Sequence, residues 1–184
     1  MAGSGVPLSE GRLRRAGAMI FVTVGTERFP FDRLVKGMDE AAERLKGEPV
    51  FMQLGEGGYL PKRCGWTHFL SYVEFVEKIR EARIIVSHAG AGSILTCKKL
   101  GKVPIVMPRL KEKGEHIDDH QVELARRMAD LGHVLLAREA EEILPLIQKF
   151  ENQEPSFPRP ASSRSPLIRV LSDYLSQGPA SKKP

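Results

Sequence analysis

The chain has 184 residues, enough for one substantial core and too few for two full nucleotide-binding domains. With 41% hydrophobic and 28% charged residues, it falls outside the globally disordered, collagen-like and coiled-coil classes. A formal net charge of +5 and an isoelectric point near 9.3 suit ligands that carry phosphate, but no basic stripe is interleaved with aromatics, so nucleic acid is not expected as a partner.

Residues 1–18 are Gly-rich and basic with no hydrophobic period; they read as a flexible extension ending at Met19, a second possible start. Residues 19–25, Met-Ile-Phe-Val-Thr-Val-Gly, form a continuous apolar run closed by glycine, the pattern of a strand buried on both faces of a parallel sheet. A helix is expected at 31–45 and a second strand at 49–55. A loop through Gly57, Gly58 and Pro61 then leads to a short third strand at 67–71. The alternation continues with a helix at 73–82, a strand at 83–87, a helix at 91–100 and a strand at 103–107. A long amphipathic helix at 118–131, a strand at 133–137 and a helix at 140–150 complete it. This order predicts an α/β fold, a doubly wound and mostly parallel sheet over residues 19–150, with ligands at the carboxyl ends of the strands. Pro155, Pro158, Pro160 and Pro166 mark a Pro/Ser linker within 151–184. A tail helix at 165–177 follows, whose stripe of Leu167, Val170, Leu171, Tyr174 and Leu175 needs a surface of this domain or of a partner.

Cys64 and Cys97 lie far apart without a partner motif, which fits a reducing, cytoplasmic compartment. The apolar stretch at 18–24 is far shorter than a membrane span, so any membrane attachment is expected to be peripheral or through a partner.

The sharpest local signal is Ser87-His88-Ala89-Gly90-Ala91-Gly92-Ser93, directly after a buried strand and opening a helix. Glycines let the main chain approach a ligand, and the helix N-terminus supplies unpaired N–H donors and the positive end of its dipole, a setting for a phosphate or pyrophosphate. His88 and Ser93 add two further donors; the alternative is a tight turn that simply needs small residues. A dinucleotide fingerprint fails, because Leu95 stands where the third glycine belongs and the loop follows a late strand. No Walker loop and no G-x-S-x-G elbow occurs.

The second signal runs from Pro108 and Arg109 through Glu115, His116, Asp118, Asp119, His120 and Gln121, from the end of a strand into the next helix. Side chains that donate and accept, chiefly Glu115, His116, His120 and Gln121, are what recognition of sugar hydroxyls requires. The alternative is a solvated loop capped by Asp118 or Asp119. His116, His120 and Asp119 lack the H-E-x-x-H pattern and a nearby cysteine, so no metal site is expected. The turn Val24-Gly25-Thr26-Glu27-Arg28 should line the same crevice, with Thr26 or Arg28 facing a ligand or merely connecting strand to helix.

Taken together, residues 19–26, Ser87-His-Ala-Gly-Ala-Gly-Ser-Ile-Leu95, Met107-Pro-Arg109, Gly114-Glu-His116 and Asp119-His-Gln121 resemble the PssE-type subunit of bacterial exopolysaccharide synthesis. More broadly, residues 19–150 resemble the C-terminal, Rossmann-like half of GT-B glycosyltransferases of family 28, as in MurG and the cytosolic subunit of the eukaryotic bipartite UDP-N-acetylglucosamine transferase. The resemblance implies the donor-binding subunit of an inverting hexosyltransferase that takes a UDP-sugar as substrate without a tightly bound cofactor. It also implies a PssD-like, membrane-associated partner that meets a lipid-linked acceptor. Carried over by position, Gly25, Thr26, His88, Gly90, Gly92, Ser93 and Thr96 would hold the nucleotide and its diphosphate. Arg109, Glu115, His120 and Gln121 would hold the donor sugar, with Arg109 suited to a uronate carboxylate. Thr96 replaces the glutamate that many relatives place on the ribose. Glu115 and His116 are the catalytic candidates, with His120 a further possible base. The competing function is a non-catalytic nucleotide-sugar-binding or scaffold module that regulates a partner transferase.

Overall fold

The computed structural model describes residues 19–45 and 47–152. Six parallel strands, β1 (Met19–Thr23), β2 (Val50–Gln53), β3 (Gly65–Thr67), β4 (Ala82–His88), β5 (Ile105–Met107) and β6 (Leu135–Leu136), form one sheet in the order β3-β2-β1-β4-β5-β6. The helices are α1 (Asp32–Ala42), α2 (Tyr72–Glu81), α3 (Ala91–Lys99), α4 (His120–Asp130) and α5 (Ile143–Asn152).

The continuous apolar runs are explained by burial on both faces. Ile20, Val22, Ile84, Val86, Ile105 and Met107 pack on one side with Leu34 and Met38 of α1 and Ile143 and Ile147 of α5. Their neighbours in sequence point the other way: Phe21 and Ile85 meet Ile79 of α2 and Cys97 of α3, and Val106 meets Ile94, Leu124 and Met128. Each such fully buried side chain is worth roughly 1.5–3 kcal/mol. Because α1 leaves β1 on one face and α3 leaves β4 on the other, the chain diverges at the carboxyl ends of these adjacent strands and leaves a crevice there.

Element boundaries shift in places. The third strand lies at 65–67 instead of 67–71, because Ser71 is the N-cap of α2: its hydroxyl accepts the Glu74 amide while the Glu74 carboxylate accepts the Ser71 amide at 2.8 Å. That capping box claims the residues after Thr67 for the approach to the helix. The first helix stops at Ala42, the fourth starts at His120, and a 3-10 turn at Ala140–Glu142 precedes α5, which continues past residue 150 to Asn152. The extension 1–18 and the expected tail helix at 165–177 lie outside the described residues. Among the described residues no helix is long and apolar enough to cross a membrane.

Candidate functional site

At the crevice, the polar ends of β1 and β2 hold the turn that follows β1. Thr23 donates its hydroxyl to Gln53 Oε1 at 3.0 Å and accepts the Gly25 amide at 3.2 Å, while Gln53 Nε2 donates to the Gly25 carbonyl at 3.5 Å. Ser87, beside them on β4, donates its hydroxyl to the His88 carbonyl at 2.8 Å.

The His88 imidazole lies between the two glycines of the neighbouring loops. A Cβ on Gly25 would stand 2.5 Å from Cε1 of the ring, and one on Gly90 only 2.2 Å from Nε2. Gly25 also has a φ of +79°, a conformation that side chains disfavour. These two glycines are therefore required by the histidine, a reason different from the close approach of a ligand expected from sequence. Burial, then the positive charge of Arg109, pushes the His88 pKa down to about 3, against a hydrogen bond to the Thr23 main chain. The ring is thus neutral, and its one N–H is engaged by the Thr23 main chain.

Gly90 is the N-cap of α3, and no side chain caps this end. Gly90 accepts the Ile94 amide at 3.1 Å, so the amides of Ala91, Gly92 and Ser93 form the open first turn. Gly92 is exposed, and a Cβ there would meet nothing within 4 Å. Thr96, expected near a ribose, donates its hydroxyl back to the Gly92 carbonyl at 2.9 Å and is buried, so that donor is spent inside the helix. Thr26 stands exposed on the rim of the β1 turn.

The segment between β5 and α4 departs from expectation. Arg109 is fully buried: its guanidinium donates to the carbonyls of Val24 (2.7 Å), Phe29 (2.7 Å), Pro30 (3.2 Å) and Glu115 (3.1 Å), over the Phe31 ring at 4.8 Å. It pins the β1–α1 loop to the β5–α4 loop and presents nothing to a sugar carboxylate. Glu115 is likewise withdrawn, its carboxylate accepting Arg33 Nε (2.9 Å), Arg33 Nη2 (2.8 Å) and the Leu110 amide (2.9 Å). Three of its roughly four acceptor directions are engaged, and the Arg33 guanidinium holds it away from the role expected of a sugar ligand or base. Gln121 is buried and accepts the Arg109 amide at 3.3 Å. Of the four side chains expected on the sugar, His120 alone is open, with 40% of its side chain exposed.

His116 and His120 converge on Asp118. The His116 Nδ1 lies 3.0 Å from Oδ1 and the His120 Nδ1 3.3 Å from Oδ2, and Oδ1 also accepts the His120 amide at 3.1 Å. One carboxylate thus orients both imidazoles. Among the described residues no group of three or more His, Cys, Asp or Glu side chains could hold a metal ion.

A profile of the glycosyltransferase family 28 C-terminal domain matches residues 19–168. The chain belongs to that family. The human UDP-N-acetylglucosamine transferase subunit ALG13 is 32% identical over 125 residues, 62% of this chain; the chain spans about a tenth of that relative, 10% of its length. Among solved structures, the NMR structure of ALG13 superposes with a TM-score of 0.54 at 18% identity, covering 84% of this chain and 94% of that one. MurG of Acinetobacter baumannii gives 0.53 at 16% identity, covering 89% of this chain and 47% of that one. These structural likenesses establish the GT-B half-fold, which the strand order shares.

Within this family 28 domain, sequence reading missed Arg33, Asp118 and the Thr23–Gln53 pair as builders of the site. Thr23 and Gln53 carried a signal, since polar residues inside otherwise apolar buried runs must find partners. Arg33 carried none, because its partner Glu115 lies 82 positions away.

Proposed function

We propose that this family 28 domain is the donor-binding subunit of a two-component, inverting glycosyltransferase, of the PssE type, that takes a UDP-sugar. The observation that carries this reading is the uncapped N-terminus of α3, beside a neutral His88, at the crevice between β1 and β4. The amides of residues 91–93 and the Ser93 hydroxyl would take the diphosphate beside the His88 ring, with Thr26 on the rim. His120 would meet the sugar.

In the reaction, an acceptor hydroxyl oxygen bonds to the anomeric carbon as the bond from that carbon to the β-phosphate oxygen breaks, and the departing UDP keeps the electron pair. The helix terminus stabilises the charge that builds there. The acceptor's proton passes to His116 or His120, both oriented by Asp118, and transfer needs no tightly bound metal. The acceptor side, a lipid-linked sugar in exopolysaccharide or capsule synthesis, is assigned to a PssD-like membrane-associated partner. This places the chain at the cytoplasmic face of the membrane. The subunit relationship in the name of the ALG13 relatives supports a chain that works with another.

Calorimetry with UDP on the isolated chain, followed by transfer assays with a co-expressed partner across a panel of UDP-sugars, tests the proposal. UDP binding without transfer by the chain alone is expected, with transfer restored by the partner and resistant to chelators. Undiminished transfer by a His88→Ala, Ser93→Ala double variant would instead favour the scaffold function.

A further inference from the structure

Arg109 carries a charge that no carboxylate among the described residues bonds directly. Its direct partners are four neutral main-chain carbonyls, and its Nε has no partner at all. The carboxylates that act on it are Glu115, engaged in two contacts by Arg33, and Glu27, exposed to solvent on the β1–α1 loop. Arg33 also pairs with Glu139 at 3.2 Å, so Arg109 is the one member of this group of charges with no carboxylate in contact. Removing such a charge from water is costly. The charge sits at the carboxyl ends of the strands: Arg109 bonds the Val24 carbonyl, the next residue is Gly25, and Gly25 lies against the His88 ring. Its field reaches the crevice, because after burial it is the largest influence holding a proton off His88. A field that repels a proton from that ring attracts an anion placed above it.

We propose that Arg109 is a specificity-determining residue that acts through space, raising the affinity of the crevice for the phosphate charge of a nucleoside diphosphate without touching the ligand. This rests on the reading of the crevice as a nucleotide-sugar site. The low-dielectric surroundings make the attraction stronger than that of a surface lysine and shield it from salt.

The full-length chain is titrated with UDP, UMP and uridine, by calorimetry and by NMR shift perturbation for weak binding, as wild type, Arg109→Lys and Arg109→Met. In Arg109→Met the UDP affinity is expected to fall tenfold or more and UMP by less, with uridine within about twofold. Arg109→Lys, which keeps the charge, should retain most of the UDP affinity. Equal loss of UDP and uridine in Arg109→Met would overturn the proposal and leave Arg109 a purely structural pin. Circular dichroism and thermal melting establish that the variants fold. Should Arg109→Met not fold, the salt dependence of the wild type decides. A weak decline in UDP affinity from 50 to 500 mM NaCl supports a buried charge, and a steep one, as exposed lysines would give, overturns it. Wild-type protein that binds neither UDP nor uridine would bring down the nucleotide-site reading itself, a result distinct from binding without phosphate selectivity.

Discussion

The helix that follows β3 and the helices that follow β1, β4 and β5 begin in opposite ways. At the sheet's edge, α2 opens with a complete capping box, Ser71 and Glu74 satisfying each other's amides. Around the crevice, α1, α3 and α4 open with no side chain from the N-cap residue on their first turns. Where a helix end has only to be stable, the sequence supplies its own acceptor; at α4 the Asp118 carboxylate takes the His120 amide, and at α1 and α3, on either side of the switch point, no N-cap side chain serves the first turn. The difference separates parts of one fold that are built for stability from parts reserved for a ligand.

The largest test enlarges the crevice wall. Gly90→Ala places a methyl 2.2 Å from the buried His88 ring, far inside contact distance. A loss of about 3 kcal/mol in urea unfolding is expected, together with loss of UDP binding.

Acid provides the second. The His88 pKa is about 3 in the fold and near 6.5 in the unfolded chain, so as pH falls the unfolded chain takes up the proton first. The contribution is complete above pH 6.5 and declines towards 3; between pH 6.5 and 5 it should cost about 2 kcal/mol. Urea unfolding across that range should show a shallower decline in His88→Asn than in the wild type.

Smaller effects set the two kinds of helix end against each other. Gly92→Ala adds a methyl in open space and a better helix former, so the melting temperature should hold or rise while UDP affinity drops about tenfold. Ser71→Ala should do the reverse, costing about 1 kcal/mol of stability with UDP affinity unchanged. Equal behaviour of the two variants would erase the distinction between the ends.

The alternation of β-branched runs with amphipathic segments made the doubly wound sheet readable, because burial on both faces leaves an unbroken apolar stretch in each strand. The glycine-rich turn into α3 was readable for the same reason, being local. The slipped third strand was readable in principle, since Ser71-x-x-Glu74 is a helix-start signature. Arg109 was not. Its type and its place in a polar segment suggested exposure, and the Val24 carbonyl that holds it lies 85 positions earlier in the chain. Glu115 misled for the same reason: a carboxylate beside two histidines looks available until the guanidinium from α1 is in place.

The seating of one imidazole between Gly25 and Gly90 makes three distant positions share a single allotment of volume. A larger residue at Gly90 becomes tolerable if position 88 shrinks, whereas Gly25 keeps its left-handed backbone whatever the ring does, so Gly90→Ala combined with His88→Ala should be less damaging than the sum of the two changes. Variants of this wall will succeed as matched sets, and one-at-a-time substitution will understate how much the crevice can be reshaped.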